Sequence, residues 1–275
     1  MSYPESSSDG RPAEADRAAL DRFLEKIEAR TAVVGIVGLG YVGLPLAQIF
    51  ADQGYNVIGF DLDQEKVDKL NRGESYIRHI PSETLRRLSE DGRFQATSDR
   101  ARLGELDAVL LCVPTPLTRH REPDISAVEA STRMLVEHAK PGQLIVLEST
   151  TYPGTTAEVM TGILQTSGLE IGKDVFVAYS PEREDPGNPN FTTSSIPKVV
   201  GGDDAASRRA AEALYGAVVR EVVAVSGTRT AEAIKLTENI FRSVNIALVN
   251  ELKVIYAGMG IDVWEVIDAA KTKPF

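Results

Sequence analysis

The sequence is poor in cysteine, histidine and tryptophan, and it has no long apolar run. Its single cysteine excludes an internal disulfide and is typical of a protein from the reducing cytoplasm. No segment is long and apolar enough to span a bilayer, and the polar N-terminus has no signal-peptide core. The histidines, His79, His120 and His138, show no metal-ligand spacing. We therefore expect a cytoplasmic protein without a metal site.

Basic residues are outnumbered by acidic ones. The chain of 275 residues has 30 lysines and arginines against 40 aspartates and glutamates, a net charge of -10, and no basic stripe. Nucleic acid would be repelled by such a surface. With 43% hydrophobic and 25% charged residues, the composition predicts one large or two smaller globular domains.

The most informative segment is a glycine-rich turn between two apolar runs. VVGIVGLGYVG spans Val33 to Gly43, and the next run, VIGFD, ends at Asp61. This pattern predicts a strand, a turn, a helix and a second strand that together bind a dinucleotide. The predicted cofactor-binding turn consists of Gly38, Leu39, Gly40, Tyr41, Val42 and Gly43.

Each part of this segment has a physical role in the prediction. Gly38 allows the tight turn, Gly40 lets a pyrophosphate approach the backbone, and Gly43 lets the helix pack close to the strand. Asp61 can accept hydrogen bonds from ribose hydroxyls and would repel a 2′-phosphate, so the predicted cofactor is NAD. A glycine turn that binds nothing is the alternative interpretation.

Apolar strands alternate with helices along most of the chain. Residues 1–30 read as a polar tail and an amphipathic helix. Strands are predicted at 32–37, 56–60, 107–113, 143–148, 174–179, 197–200 and 221–225. Helices are predicted near 42–53, 63–71, 82–90, 125–139, 154–166 and 204–214. The alternation predicts an α/β fold with a doubly wound, mostly parallel, Rossmann-like sheet over residues 31–226. Ligands bind such sheets at the carboxyl ends of their strands.

A different pattern begins after Ser226. Residues 228–257 form one proline-free helical pattern, and a shorter helix follows from Val263 to Lys271 with a predicted N-cap at Asp262. We expect residues 227–275 to begin a second, helical domain. Apolar residues recur at helical spacing on the long helix, which predicts either a dimer interface or a core within the chain. They are Phe241, Val244, Leu248, Leu252 and Ile255.

Several polar residues follow the predicted strands closely enough to line one cleft. Lys66 could reach the adenosine side of a cofactor, although a solvated surface lysine fits equally well. Thr115 lies between two prolines, and Thr150 lies in the hydroxyl-rich run STTYPGTT, where helix capping is the alternative role. Cys112 lies within an apolar strand and is predicted to be an inert core thiol.

Two further groups are candidates for the reaction itself. Glu182, Arg183 and Glu184 lie in a charged loop between two prolines, which is either a solvated charge run or a site that holds a water and an anionic substrate. Lys235 and Asn239 share one face of the long helix and could stabilise an oxyanion, although exposed helix residues would look the same.

Taken together, these segments resemble the nucleotide-sugar (UDP-sugar) 6-dehydrogenase family. The resemblance runs from about Thr31 to the C-terminus, and within the family the chain is most similar to the UDP-N-acetylglucosamine branch. It rests on GLGYVGLPLA, FDLDQEKV, LNRGESYI, VPTP, ESTTYPGTT, SPERE and AEAIKLTENIFRSVNIALVNEL. The branch is indicated by SYIRHI, TPLTRHREPD and SPEREDPGN.

The resemblance implies oxidation of a sugar C6 hydroxyl to a carboxylate with two NAD, for polysaccharide biosynthesis. It implies that Lys66, Thr115 and Thr150 bind NAD together with the glycine turn and Asp61. It also implies catalytic roles for Glu182, Lys235, Asn239 and Thr150, and substrate binding by Arg183, Glu184, Lys235, Asn239 and Arg242. The long helix would form the core of a homodimer.

One feature of the family has no counterpart in these residues. Its cysteine nucleophile lies in a GGHC-type segment that would follow the helix ending near Lys271, and a C-terminal UDP-binding domain comes after it. We therefore expect the chain to be the front portion of a longer enzyme, one that binds NAD without completing the oxidation. UDP-N-acetylmannosamine or UDP-glucose dehydrogenases, a β-hydroxyacid dehydrogenase and a non-enzymatic NAD-binding protein are the alternatives.

Overall fold

The computed structural model describes residues 14–77, 80–183 and 196–273. The chain divides into two compact units, Met1–Ala233 and Ile234–Phe275. Each unit is described by itself below. Within the described ranges, none of the helices combines the length and the apolar character needed to cross a membrane.

Unit one is built on an eight-stranded sheet. Its strands are β1 (Val33–Val37), β2 (Asn56–Phe60), β3 (Phe94–Thr97), β4 (Ala108–Leu111), β5 (Gln143–Leu147), β6 (Val175–Tyr179), β7 (Lys198–Gly202) and β8 (Val222–Val225). They lie in the order β3-β2-β1-β4-β5-β6-β7-β8. The strands from β1 to β6 are parallel, whereas β7 is antiparallel to β6 and parallel to β8. The predicted α/β class with a mostly parallel sheet is confirmed.

Most of the helices connect and cover these strands, and further helices follow β8 along the chain. They are α1 (Glu14–Glu28), α2 (Gly43–Asp52), α3 (Gln64–Asn71), α4 (Ser82–Glu90), α5 (Ser126–Val136), α6 (Thr161–Leu164), α7 (Ala205–Gly216), α8 (Thr228–Gly258) and α9 (Val263–Ala270). The helix predicted at 154–166 consists of a π-helical segment, Thr155–Met160, followed by α6 and a 3₁₀ turn.

The sequence interpretation missed β3, which is an edge strand. Only Phe94 and Ala96 are buried in it, while Gln95 points to solvent. Two alternating apolar residues are too few to stand out from a loop. The central strands β4, β5 and β6 are buried along their whole length, so their continuous apolar runs were readable.

Helix α1 packs on unit one as its spacing predicts. Phe23 and Ile27 belong to the core, and the Phe23 ring lies 6.4 Å from that of Phe176 on β6. Lys26 of the same helix donates a 2.7 Å hydrogen bond to Asp107, which precedes β4. The helix is therefore tied to the edge of the sheet opposite the strands' carboxyl ends.

Unit two consists of the rest of α8 and of α9. Asp262 caps α9 as predicted, because its carboxylate accepts a 2.9 Å hydrogen bond from the Trp264 N–H. The buried residues of α8 are Thr228, Ala231 and Glu232, which all lie in unit one. By contrast, Phe241 is 71% exposed and Val244 60%. Of the two alternatives for this apolar face, a core within the chain is not what the described residues form.

Candidate functional site

A cavity of about 770 Å³ lies in unit one at the carboxyl ends of six neighbouring strands. The segments after β1, β2, β3, β4, β5 and β6 each contribute to its wall. It brings together predicted candidates that are up to 144 positions apart in the chain. The sequence-predicted residues that line it are Gly38, Gly40, Tyr41, Val42, Asp61, Lys66, Thr115, Thr150 and Glu182.

The glycine turn forms one wall of this cavity. Gly38 has φ +94°, and a Cβ there would lie 2.6 Å from the carbonyl oxygen of Cys112. A Cβ on Gly43 would lie 1.8 Å from the Gly38 carbonyl oxygen, so α2 packs tightly against the turn. A Cβ on Gly40 would meet no described atom within 4 Å, which leaves the backbone on that side open to a ligand.

Helix α2 begins directly at this open backbone. No described side chain caps its N-terminus, and its first turn carries no acidic residue. An uncapped helix N-terminus has N–H groups and a partial positive charge that suit a phosphate. The turn and the helix therefore fit a pyrophosphate.

Asp61 is fixed at the β2 end of the cavity by backbone donors. Its Oδ2 accepts a hydrogen bond from the Leu39 N–H at 3.1 Å, and its Oδ1 accepts one from the Asp63 N–H at 3.0 Å. Lys66 Nζ lies 3.6 Å from Asp61 Oδ2. The side chain of Leu39 is buried in the core, so this residue acts through its backbone.

Tyr76 supports the same end of the cavity. Its hydroxyl donates a 2.5 Å hydrogen bond to the Leu39 carbonyl, and its ring lies 5.9 Å below Lys66 Nζ. Burial, reinforced by the charge of Asp61, raises the pKa of Tyr76, so the hydroxyl stays a donor. The sequence interpretation did not single out this residue.

The two threonine loops are joined to each other. The Thr115 hydroxyl donates a 2.7 Å hydrogen bond to the Thr150 carbonyl, and the Ser149 hydroxyl donates one of 2.6 Å to the Val113 carbonyl. These bonds hold the loops after β4 and β5 in one arrangement along the cavity wall.

The far end of the cavity rests on a buried ionic cluster that the sequence interpretation missed. Lys198 Nζ donates a 2.7 Å hydrogen bond to Glu148 Oε2 and lies 3.6 Å from Glu182 Oε2. The Tyr215 hydroxyl donates to the other oxygen of Glu148. The sequence did contain a signal for this cluster, because Glu148 ends the apolar run LIVLE and Lys198 lies in the apolar run IPKVVGG. A buried charge without a partner is costly, so charges in two buried strands indicate that they pair with each other.

Burial and charge oppose each other in this cluster. Burial raises the pKa of Glu148, and the charge of Lys198 counteracts this shift. Burial by itself would lower the pKa of Lys198, but the carboxylates of Glu148 and Glu182 outweigh it and the net shift is upward. Lys198 is therefore a charged ammonium at neutral pH.

Cys112 packs against the hydrophobic core and also lines the cavity. Cys112 is half-buried and lines the same cavity as Glu148, so the prediction of a core thiol is right about its packing but not about full burial. Burial raises the pKa of the Cys112 thiol, which agrees with the predicted low reactivity.

The remaining candidates lie on the charged loop and in unit two. The Arg183 guanidinium donates a 2.7 Å hydrogen bond to the Pro197 carbonyl, and the Arg183 backbone N–H donates one of 2.7 Å to Glu182 Oε1. Glu184 lies outside the described residues. Lys235 and Asn239 are half-buried and Arg242 is exposed, all on the part of α8 that belongs to unit two. Their roles stay predictions.

An open glycine turn before a helix, with a fixed carboxylate at the end of the adjacent strand, defines a dinucleotide-binding domain of the Rossmann class. Residues 32–219 match the NAD-binding domain of the UDP-glucose/GDP-mannose dehydrogenase family, and residues 229–275 match its central domain. The chain belongs to this family, and its cofactor is NAD.

Individual relatives agree with this assignment. The chain is 37% identical over 244 residues to the UDP-N-acetyl-D-mannosamine dehydrogenase of Pyrococcus horikoshii, covering 88% of the chain and 58% of the relative. It is 37% identical to the UDP-N-acetyl-D-glucosamine 6-dehydrogenase of Pseudomonas aeruginosa, covering 87% and 56%. The solved UDP-D-ManNAc dehydrogenase of P. horikoshii superposes with a TM-score of 0.83 at 35% identity, covering 88% of the chain and 58% of that structure. The chain thus spans less than two thirds of the length of these relatives.

Proposed function

We propose that the chain forms the NAD-binding part of an enzyme that oxidises the C6 hydroxyl of a UDP-N-acetylhexosamine to a carboxylate, with UDP-N-acetylglucosamine as the favoured substrate. The observation that carries this proposal is the single cavity that unites the glycine turn, Asp61, both threonine loops and Glu182. The glucosamine branch is supported by the P. aeruginosa relative and by the segments SYIRHI and SPEREDPGN.

In this proposal the cofactor lies along the edge of the sheet. Asp61 accepts hydrogen bonds from the adenosine ribose, and Lys66 lies beside it. The backbone at Gly40 and the N-terminus of α2 face the pyrophosphate. Thr115 and Thr150 then line the nicotinamide half, because β4 and β5 follow β1 in the strand order. NAD supplies the hydride acceptor when it is bound.

The protein's own groups would handle protons, charge and substrate. Glu182 lines the cavity with a carboxylate that can hold a water or take a proton near C6. Thr150 adds a hydroxyl on the adjacent loop. Lys235 and Asn239 would stabilise the oxyanion that develops at the sugar. Arg183, Glu184 and Arg242 would contact the substrate, as Lys235 and Asn239 also would.

Assembly and location belong to the same proposal. The exposed apolar residues of α8 support a homodimer formed through the 228–257 helix, since such a large apolar surface is rarely left in water. The single cysteine supports a cytoplasmic location. Analytical ultracentrifugation tests the dimer, which a strictly monomeric protein at micromolar concentration would rule out.

The activity test uses the protein from the complete reading frame that encodes this chain. It is assayed for NADH formation with UDP-N-acetylglucosamine, UDP-N-acetylmannosamine, UDP-glucose and 3-hydroxyisobutyrate. We expect reduction of NAD with the UDP-sugars, fastest with UDP-N-acetylglucosamine. Reduction with the hydroxyacid alone would overturn the proposal. Incubating the 275 residues with the same substrates and NAD, and analysing the products for the uronic acid by mass spectrometry, tests the expectation that they form no acid by themselves.

UDP-N-acetylmannosamine is the second candidate substrate. Several relatives of similar identity are UDP-N-acetyl-D-mannosamine dehydrogenases, including the one from P. horikoshii. A higher kcat/KM with UDP-N-acetylmannosamine in the assay above would favour this candidate. The cofactor and the cavity residues would keep the same roles.

A further inference from the structure

Lys198 contacts the side chain of Glu182 and the backbone of the residue before it. Its Nζ donates a 3.2 Å hydrogen bond to the carbonyl of Pro181, the residue directly before Glu182. The same ammonium lies 3.6 Å from Glu182 Oε2. One lysine therefore constrains the loop after β6 at its first turn and attracts the carboxylate that this loop presents to the cavity.

The lysine itself is held from the opposite side. Glu148 Oε2 accepts the 2.7 Å hydrogen bond from Lys198, and the exposures of the two side chains are 0% and 3%. Glu148 is in turn fixed by the Tyr215 hydroxyl, and the Tyr215 ring lies 5.3 Å from Lys198 Nζ. Glu148 lies directly after β5 and Tyr215 lies on α7, and both residues are buried.

A buried ion pair is a poor way to gain stability. Replacing such a pair by apolar residues of similar size is often neutral or stabilising, because desolvation offsets the attraction. This cluster, however, ends at the cavity wall, where Glu148 and Glu182 both line the ligand space. Its position points to a role in the site rather than in the core.

We propose that Lys198 is a positioning residue that orients the Glu182 carboxylate toward the cavity, with Glu148 and Tyr215 fixing the lysine. The inference rests on the proposed function in so far as Glu182 serves the oxidation. A misplacement of about 1 Å at a reacting group can cost about a hundredfold in rate. Removing the ammonium should therefore lower kcat without weakening NAD binding.

The first test needs no activity. In the 275-residue chain with ¹³C-labelled glutamate carboxyls, the Glu182 resonance is assigned by its loss in Glu182→Gln. We expect this resonance to shift in Lys198→Met and to return toward its original position in Lys198→Arg, which keeps the charge. Lys140→Met is the matched control, because Lys140 pairs with Asp107 away from the cavity. An unchanged Glu182 resonance in Lys198→Met would overturn the proposal.

The second test measures kinetics in the protein from the complete reading frame. Lys198→Met should lower kcat with UDP-sugar at least about tenfold per folded molecule, with the Kd for NAD within about threefold. Lys198→Arg should restore most of the loss, and Lys140→Met should change neither. A kcat per folded molecule equal to that of the parent would overturn the proposal.

Two outcomes need separate treatment. If the parent protein oxidises no UDP-sugar, the proposed function fails, whereas the Glu182 resonance still decides whether Lys198 orients that carboxylate. If Lys198→Met does not fold, Tyr215→Phe replaces it, because it removes the hydroxyl that fixes Glu148 and keeps the ring. A shift of the Glu182 resonance in Tyr215→Phe supports the proposal. An unshifted Glu182 resonance in this variant overturns it.

Discussion

Each end of the cavity holds a lysine–carboxylate pair, and the two pairs are built in different ways. At the β2 end, Lys66 lies 3.6 Å from Asp61 and its side chain is 39% exposed. At the β5–β6 end, Lys198 lies 2.7 Å from Glu148 and both side chains are buried. The open pair can exchange its partners for a ligand, whereas the closed pair can only hold neighbouring groups in place.

Solvent accounts for this difference. Exposed ion pairs contribute about 0–1 kcal/mol because water screens them. Removing one partner of a buried pair leaves an uncompensated charge in a medium that solvates it poorly. We therefore propose that similar side chains serve ligand binding at one end and positioning at the other.

Replacing each lysine by methionine should give the largest contrast. We expect Lys198→Met to lower the free energy of unfolding by about 3–5 kcal/mol, since the Glu148 carboxylate loses its counter-ion. Lys66→Met should change it by less than about 1 kcal/mol. Urea denaturation of both variants measures the difference, and equal losses would contradict the distinction between the two ends.

A double variant sharpens the same comparison. Adding Glu148→Gln to Lys198→Met removes the unpaired charge, so part of the lost stability should return. Urea denaturation of the double variant and of both single variants measures this. If the loss in free energy of unfolding in the double variant equals the sum of the losses in the two single variants, Lys198 and Glu148 are not coupled.

A substitution of Asp61 should change which dinucleotide the cavity binds more than it changes the free energy of unfolding. Asp61→Asn keeps the size of the side chain but removes its charge and one acceptor for the ribose hydroxyls. We expect NAD affinity to fall about tenfold and the preference for NAD over NADP to narrow. Calorimetric titration with both dinucleotides measures this, and an unchanged preference would show that Asp61 does not face the ribose.

The smallest effect concerns Cys112, which lies between the two ends. Because burial raises the pKa of its thiol, less thiolate is present at a given pH than in free cysteine. Alkylation of Cys112 by iodoacetamide at pH 7.5 should be at least about tenfold slower than alkylation of glutathione. The rate should rise only at pH values above the usual pKa range of thiols. Bound NAD should slow the reaction further. Rapid labelling at pH 7.5, measured by mass spectrometry, would contradict the assignment.

The two ends also differ in how far the sequence could predict them. The turn at Gly38 to Gly43 and Asp61 belong to one local strand–helix–strand unit, so their spacing alone indicated a dinucleotide site. The partners of the buried cluster are 50 positions apart for Glu148 and Lys198 and 67 for Glu148 and Tyr215. No local pattern relates such residues, because only the strand order brings them together.

The fold shows the same limit. Alternation of apolar runs predicted the parallel strands β1, β2, β4, β5 and β6, because predicted helices separate most of them along the chain. No helix was predicted between residues 179 and 197, so the rule for right-handed crossovers gave no direction for β7. The structure places β7 antiparallel to β6, and this arrangement carries Lys198 to the cavity end.

The central claim is that the open backbone at Gly40 and the carboxylate of Asp61 bind an NAD molecule. Calorimetric titration of the folded 275-residue chain with NAD tests it most directly, with Gly40→Val as the matched variant. Because a side chain at this position would point into the open cavity, we expect one NAD bound per parent chain and at least about tenfold weaker binding in a normally folded variant. A folded parent chain that binds no NAD, or a variant that binds it equally well, would contradict the account.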